Sequence, residues 1–144
     1  HFERLERDCR LRGRPLAVAM IDIDDFKRLN DELGHQGGDM ALRHICGQLV
    51  EGLGPAGVLA RFGGEEFVLL LPGADIERAD AHLAELQGRL AAAVFSHMGE
   101  QRSLRFSGGV TVCARGDTLE ALLGRADEAL YRAKRAGKNC VRRA

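Results

Sequence analysis

The chain has no excess of either charge: 21 basic side chains stand against 21 acidic ones. Bulk electrostatics therefore point to no polyanion and no membrane surface, so neither nucleic acid nor lipid is an expected partner of this domain. Any basic site must be local. No stretch reaches the ~20 apolar residues of a membrane-spanning helix, and no signal peptide is visible. Cysteine is sparse. Cys9, Cys46, Cys113 and Cys140 lie far apart with no CxxC pair. That argues against a cysteine-held metal cluster and for a reducing, cytoplasmic setting, and all four read as packing or surface residues. No repeat, low-complexity tract or internal linker interrupts the chain. Its 144 residues suffice for a single domain, 1–144, with a sizeable core. The first residue is His1 rather than Met, so the sequence reads as a fragment of a longer protein. A regulatory or sensor part, possible anchor included, is expected upstream.

What is present is a regular alternation of elements. Phe2, Leu5 and Cys9 at helical spacing predict the end of a helix, stopped by Gly13 and Pro15. The near-continuous apolar run 16–24 predicts a strand buried on both faces. A short helix over 25–34 is closed by Gly34, "GHQGGD" reads as a loop, and 39–54 is an amphipathic helix. Strands follow at 58–62 and 67–72, then an Ala-rich helix over 74–97. The segment 102–113 predicts a strand with Gly108 and Gly109 as a bulge or a close backbone approach. A helix over 117–137 is capped by Asp117 or Thr118 and ended by Gly137, and 139–143 is a short final strand. The order β-α-α-β-β-α-β-α-β implies an α/β chain of the α+β kind. Its expected form is one mixed sheet with helices packed on it, a ferredoxin-like or palm arrangement rather than a doubly wound sheet.

The stretch "RFGGEEFVLL", Arg61 to Leu70, poses the chemical question. Gly-Gly between two strand-length runs signals a hairpin, yet the tip carries paired acids, Glu65 and Glu66. The buried strand before it ends in three more, Asp22, Asp24 and Asp25. Carboxylates at the end of a buried strand are costly unless paired or metal-bound. Side chains alternate along a strand, so Asp22 and Asp24 share a face if it stays extended. If that strand lies beside the hairpin, Asp22 meets Glu65 or Glu66, and hard oxygen ligands from two such places suit Mg²⁺. The bland alternative is that the aspartates cap the helix beginning near Asp25 and the glutamates decorate a turn. Lys134 and Lys138, four apart on one helix face, suit phosphates, or simply favour the helix C-terminus. Asn30 and Asp39 flank the glycine-rich turn. Together they offer the donors and acceptors of a guanine edge; alternatively Asp39 caps the next helix and Asn30 is a polar surface residue. The turn is not a P-loop.

Taken together, "DIDDFKRLND…GHQGGD", "RFGGEEFVLLLP" and "RADEALYRAKRAGKN" resemble, in order and interval, the GGDEF domain of bacterial diguanylate cyclases. The resemblance covers nearly the whole chain. It implies a five-stranded sheet wrapped by helices, similar to nucleotide cyclases and polymerase palms. The implied activity is condensation of two GTP into cyclic di-GMP with release of two pyrophosphates. Each domain would hold one GTP, so a second GGDEF domain must meet it face to face in a transient homodimer. Two Mg²⁺ (or Mn²⁺) per site are implied, with Asp22, Glu65 and Glu66 as the acidic cluster and the Ile23 carbonyl as backbone ligand. Glu65 would also serve as base for the 3′-hydroxyl. Lys27 would stabilise phosphate charge, and Phe26 and Gly64 would lie against the substrate. Asn30 and Asp39 would read guanine beside His35, and Lys134 and Lys138 would reach the terminal phosphates. A catalytically silent module that binds nucleotide or a protein is the alternative reading, but motif acids are retained here. A relaxed-specificity cyclase is disfavoured by Asp39.

Four departures from the family pattern stand out. Lys138 replaces an arginine, keeping the charge without the bidentate fork. Gly108 replaces a bulky aliphatic residue and is expected to loosen its strand. The usual motif before the first helix is missing. Finally, Gly54, Pro55, Ala56 and Gly57 occupy the positions of an Arg-x-x-Asp inhibitory product site, so no such site is expected.

Overall fold

The structure, a computed structural model, describes residues 1–144. Leading helix α1 (Phe2–Leu11) precedes strand β1 (Leu16–Ile23) and the long helix α2 (Phe26–Leu53). The hairpin β2 (Val58–Arg61) and β3 (Glu66–Pro72) leads to α3 (Ile76–Ala92). Then come two short strands, β4 (Phe95–His97) and β5 (Glu100–Arg102), and β6 (Phe106–Val112). Helix α4 (Leu119–Arg135) and β7 (Val141–Arg143) finish the chain. Five strands form one mixed sheet in the order β2-β3-β1-β6-β7, with β1 antiparallel to both neighbours and β7 parallel to β6. This is the α+β class that the alternation of elements implied.

β1 is central, and its period of two divides the core. Ala17, Ala19, Ile21 and Ile23 enter a large cluster with Ile45 and Leu49 of α2 and Leu83 and Leu90 of α3. Leu16, Val18 and Met20 face the other way, into a smaller cluster with Leu122, Ala126 and Leu130 of α4 and Cys9 of α1. Emptying one fully buried leucine position, such as Leu49 or Leu83, to alanine costs about 2–5 kcal/mol. The next residue in the α4-facing series is Asp22, so the alternation that builds the core carries a carboxylate to the edge of that layer.

Helix α4 lies very close to the sheet because Gly109 has no side chain. A Cβ there would overlap the Ala126 carbonyl oxygen and the Leu130 backbone nitrogen. This is the close backbone approach, not a bulge. Thr118 is the residue that caps α4, accepting from Ala121 N at 3.2 Å. Asp117 instead binds Arg125.

Three expectations are corrected. The segment 34–39 is helical rather than a loop: only Gly34 breaks α2, at φ 73° and ψ 171°. Asp39 therefore sits inside a helix and cannot cap it. The Ala-rich helix ends at Ala92 rather than running to position 97, and the expected strand over 102–113 is shortened to Phe106–Val112. Residues 95–102 instead form a separate hairpin, β4–β5, turned by Met98 (φ 49°) and Gly99 (φ 79°). Two positive φ angles in a two-residue loop give the tight turn that matches strand twist.

Candidate active site

The register of β1 against β3 sets Asp22 opposite Glu66. Cross-strand Cβ atoms at such positions lie about 4.5–5.5 Å apart on the same face. Ile23 N donates to the Glu65 carbonyl at 3.1 Å, which carries the pairing one residue beyond the strand. Asp22 is 7% exposed, Glu65 and Glu66 are half-buried, and Asp25 is exposed. The sheet thus brings Asp22, Ile23, Glu65 and Glu66 to one end of its central strand pair, as the sequence implied.

The three aspartates share no partner. Lys134 Nζ lies 2.8 Å from Asp22 Oδ2. Lys138 Nζ lies 2.5 Å from Asp25 Oδ1, which lowers the Asp25 pKa, chiefly through that hydrogen bond, and raises that of Lys138. Asp24 accepts from Ser107 Oγ at 2.7 Å and from the Asn139 backbone N–H at 2.9 Å. None of them caps α2: Asp25 holds the N-cap position in a left-handed conformation with no side-chain capping bond. The turn after α4 makes these contacts possible. Gly137, Lys138 and Asn139 all have positive φ, at 109°, 65° and 46°. Such geometry is uncommon for side chains other than glycine. It turns the chain so that one residue delivers an ammonium and the next a backbone N–H to adjacent aspartates. Ser107 and Asn139 were not identified from sequence; Asn139 lies 115 residues from its partner, and no local pattern marks such a pair.

Asn30 and Asp39 are both on α2, on either side of its break. Gly38, buried between them, carries the side chain of Asn30 directly over its backbone; a Cβ at position 38 would overlap Asn30 Oδ1. Asp39 opens on a cleft of about 400 Å³ walled by Arg43, Cys46 and Arg61. Lys27 and His35 are exposed on α2 and are not walls of that cleft. Phe26 is buried in the larger core cluster. Gly64 has open space where a Cβ would stand, whereas at Gly63 a Cβ would lie 2.6 Å from Glu66 Oε2. A second cleft, about 450 Å³, runs from Glu66 and Lys134 past Tyr131 and Glu128 of α4.

The donor chemistry fits a hard divalent cation: every candidate ligand is a carboxylate or carbonyl oxygen, and Asp22 is a buried carboxylate whose one ion-pair partner is Lys134. No three acidic, histidine or cysteine side chains converge into a cage. An ion here would complete its shell from water and substrate phosphates, as Mg²⁺ commonly does.

A palm-like sheet whose central strand pair ends in opposed carboxylates, with Lys134 of helix α4 and Lys138 of the turn after it reaching in, defines a nucleotide-cyclase-like domain. The chain belongs to the GGDEF family: the profile described as "Diguanylate cyclase, GGDEF domain" matches residues 1–140. It is similar to the diguanylate cyclase DgcP of Pseudomonas aeruginosa, 46% identical over 140 residues, which are 95% of this chain and 21% of that protein. It is also similar to the response regulator PleD of Caulobacter vibrioides, 40% identical over 145 residues, covering 97% of this chain and 32% of that one. The chain therefore spans between a fifth and a third of these relatives. Among solved structures, the GGDEF domain of DgcB from Caulobacter crescentus, in complex with c-di-GMP, superposes with a TM-score of 0.89. It is 29% identical, covering 97% of this chain and 84% of that one. No helix is long and apolar enough to cross a membrane.

Proposed function

We propose that this domain is a diguanylate cyclase, joining two GTP into cyclic di-GMP and releasing two pyrophosphates. The observation that carries the reading is the pairing of Asp22 with Glu66 across β1 and β3, beside Glu65 and within reach of Lys134. Family membership and the likeness to DgcP and PleD support a role connected with cyclic di-GMP. In each of two equivalent steps, a 3′-hydroxyl forms a bond to the α-phosphorus of the other GTP. The α–β bridging P–O bond breaks, and pyrophosphate leaves.

Asp22, Glu65, Glu66 and the Ile23 carbonyl would hold Mg²⁺ or Mn²⁺, two per site. When bound, such ions neutralise phosphate charge and lower the pKa of an attacking hydroxyl. Glu65 takes the proton of the 3′-hydroxyl. Lys27 faces the growing phosphate charge. Lys134 and Lys138, which hold Asp22 and Asp25 in this structure, turn to the terminal phosphates. Asn30 and Asp39 read the guanine edge, with His35 beside them on the exposed side of α2, Gly64 against the nucleotide and Phe26 supporting the site from the core. One domain supplies one GTP, so catalysis needs a second copy facing the first, and an upstream regulatory part sets that meeting. Residues 54–57 carry no charged side chain, so no high-affinity product inhibition is expected through that segment.

The test is one incubation with GTP, ATP and Mg²⁺, read by mass spectrometry. Cyclic di-GMP as the sole product supports the reading. Adenine-containing dinucleotides indicate relaxed specificity, and no product from a dimerised sample indicates a silent module.

A further inference from the structure

Arg61 closes β2, and its side chain folds back over the turn that follows. Nε donates to the carbonyls of Gly63 and Gly64, each at 3.1 Å, and Nη2 donates to the Gly64 carbonyl at 2.6 Å. The next two carbonyls are taken by the backbone. Glu65 O accepts from Ile23 N at 3.1 Å, and Glu66 O accepts from Phe62 N at 2.8 Å and Gly63 N at 3.2 Å. Four consecutive peptide carbonyls, 63 to 66, are therefore all satisfied, and the first two depend on one guanidinium. Those two belong to glycines, which have the widest choice of backbone angles. Apart from the Gly63 N–H bond to the Glu66 carbonyl, little else in the turn restrains them: no side chain lies within reach of a Cβ at Gly64, and only the Glu66 side chain stands against Gly63.

We infer that Arg61 is a positioning residue. Its planar fork fixes the Gly63–Gly64 peptides and so aims the Glu65 carboxylate at the end of β1, where Asp22 and the Ile23 carbonyl stand. The inference rests on the proposed role of Glu65 as a ligand for a divalent cation. Geometry explains the choice of arginine. Nε and Nη2 are rigidly spaced donors that reach two adjacent carbonyls at once, which a lysine ammonium on a flexible stem does not reproduce. The side chain is exposed and packs no core, so its effect on aim is separable from any effect on folding. It also walls the cleft onto which Asp39 opens, placing the fork between the guanine-reading helix and the acidic turn.

The test is Mn²⁺ binding followed by electron paramagnetic resonance, with a non-hydrolysable GTP analogue present. The proteins compared are the parent chain, Glu65→Gln, Arg61→Met and Arg61→Lys, with thermal midpoints measured alongside. Loss of a group that orients a ligand typically weakens a metal site roughly 10- to 100-fold. Arg61→Met is expected to weaken Mn²⁺ by that order with its thermal midpoint unchanged, and Arg61→Lys to fall between it and the parent. In turnover, kcat should drop while KM for GTP stays near the parent value. If Glu65→Gln loses Mn²⁺ but Arg61→Met binds it as the parent does, the positioning role is overturned and the ligand role of Glu65 stands. If Glu65→Gln binds Mn²⁺ normally, the underlying reading fails. A large fall in the thermal midpoint of Arg61→Met, in step with its loss of Mn²⁺, would assign Arg61 to folding alone.

Discussion

The ammonium of Lys134 sits 2.8 Å from the carboxylate of Asp22, and the two side chains differ sharply in exposure, 38% against 10%. The aspartate is fixed at the edge of the core, while the lysine stands at the mouth on the last turns of α4. The lysine is therefore the half of the pair that can leave. In the proposed function it would serve as the cation of the site until a metal and a phosphate arrive. Replacing Lys134 by methionine removes a competitor for Asp22. Without nucleotide, the variant should bind Mn²⁺ several-fold more tightly than the parent while binding GTP more weakly, both measured by calorimetry. It should also lose roughly 1–3 kcal/mol of stability in metal-free buffer, the cost of a buried charged group without its partner. Added Mn²⁺ should restore part of that loss.

Gly38 governs Asn30. A methyl group at position 38 cannot coexist with the Asn30 side chain where it now lies, so Gly38→Ala should displace it without touching Asp39. The preference for GTP over ATP should fall by on the order of 1–3 kcal/mol, the cost of unpairing a base-reading group. Calorimetry with both nucleotides measures it. An unchanged ratio would mean that Asn30 does not read the base.

The paired glycines of β6 should respond very unequally. Gly109→Ala forces α4 off the sheet, because the new methyl meets backbone that cannot step aside, and overpacking of this kind costs about 1–3 kcal/mol or more. At Gly108 the nearest atoms to a new Cβ are the Ile21 Cγ2 at 3.3 Å and the Val141 Cγ2 at 3.4 Å, both side-chain methyls. Gly108→Ala should change stability by less than ~1 kcal/mol. Urea unfolding of the two variants distinguishes them.

Asp117 joins α4 to the end of β6. Arg125 donates to it through Nη1 at 3.1 Å and Nη2 at 2.6 Å, and reaches Thr111 Oγ1 at 3.2 Å. The Arg125 hydrogen bond, with a second from Ala114 N, holds the Asp117 carboxyl below its ordinary 3.8. A depressed folded pKa means that the contribution is present above 3.8 and is lost as pH falls through the lower folded value. The parent should therefore be more stable than Asp117→Asn at pH 7. The gap should narrow below pH 3.8 and close in stronger acid, as followed by urea midpoints across pH.

Much of this was legible because it is local. The unbroken apolar run of β1, the Gly-Gly hairpin and the apolar stripe of α4 each specify an element through period or turn chemistry, and the strand pairing then brings the acids together. The segment "GHQGGD" misled for a physical reason. Glycine there suggested a loop, but only Gly34 uses a positive φ. Gly37 and Gly38 are glycines inside a helix because Leu33, with His97 close behind, and Asn30 occupy the space of their side chains. The first strand of the β4–β5 hairpin was hidden at the end of an alanine-rich helical pattern, with Gly99 the hairpin's one signal. The partners of Asp24 and Asp25 come from the far end of the chain, and only the finished fold brings them near.

The central claim is that Glu65, presented by the hairpin beside Asp22, drives the joining of two GTP. Two copies should be brought together by an appended parallel coiled coil and supplied with GTP and Mg²⁺. Cyclic di-GMP is then measured for the parent and for Glu65→Gln, with circular dichroism confirming that both are folded. The parent should form cyclic di-GMP and the variant should fall by at least ~100-fold, the loss expected for a ligand and base removed from a metal-assisted site. Equal rates in the two proteins, or no cyclic di-GMP from the dimerised parent, would contradict the account.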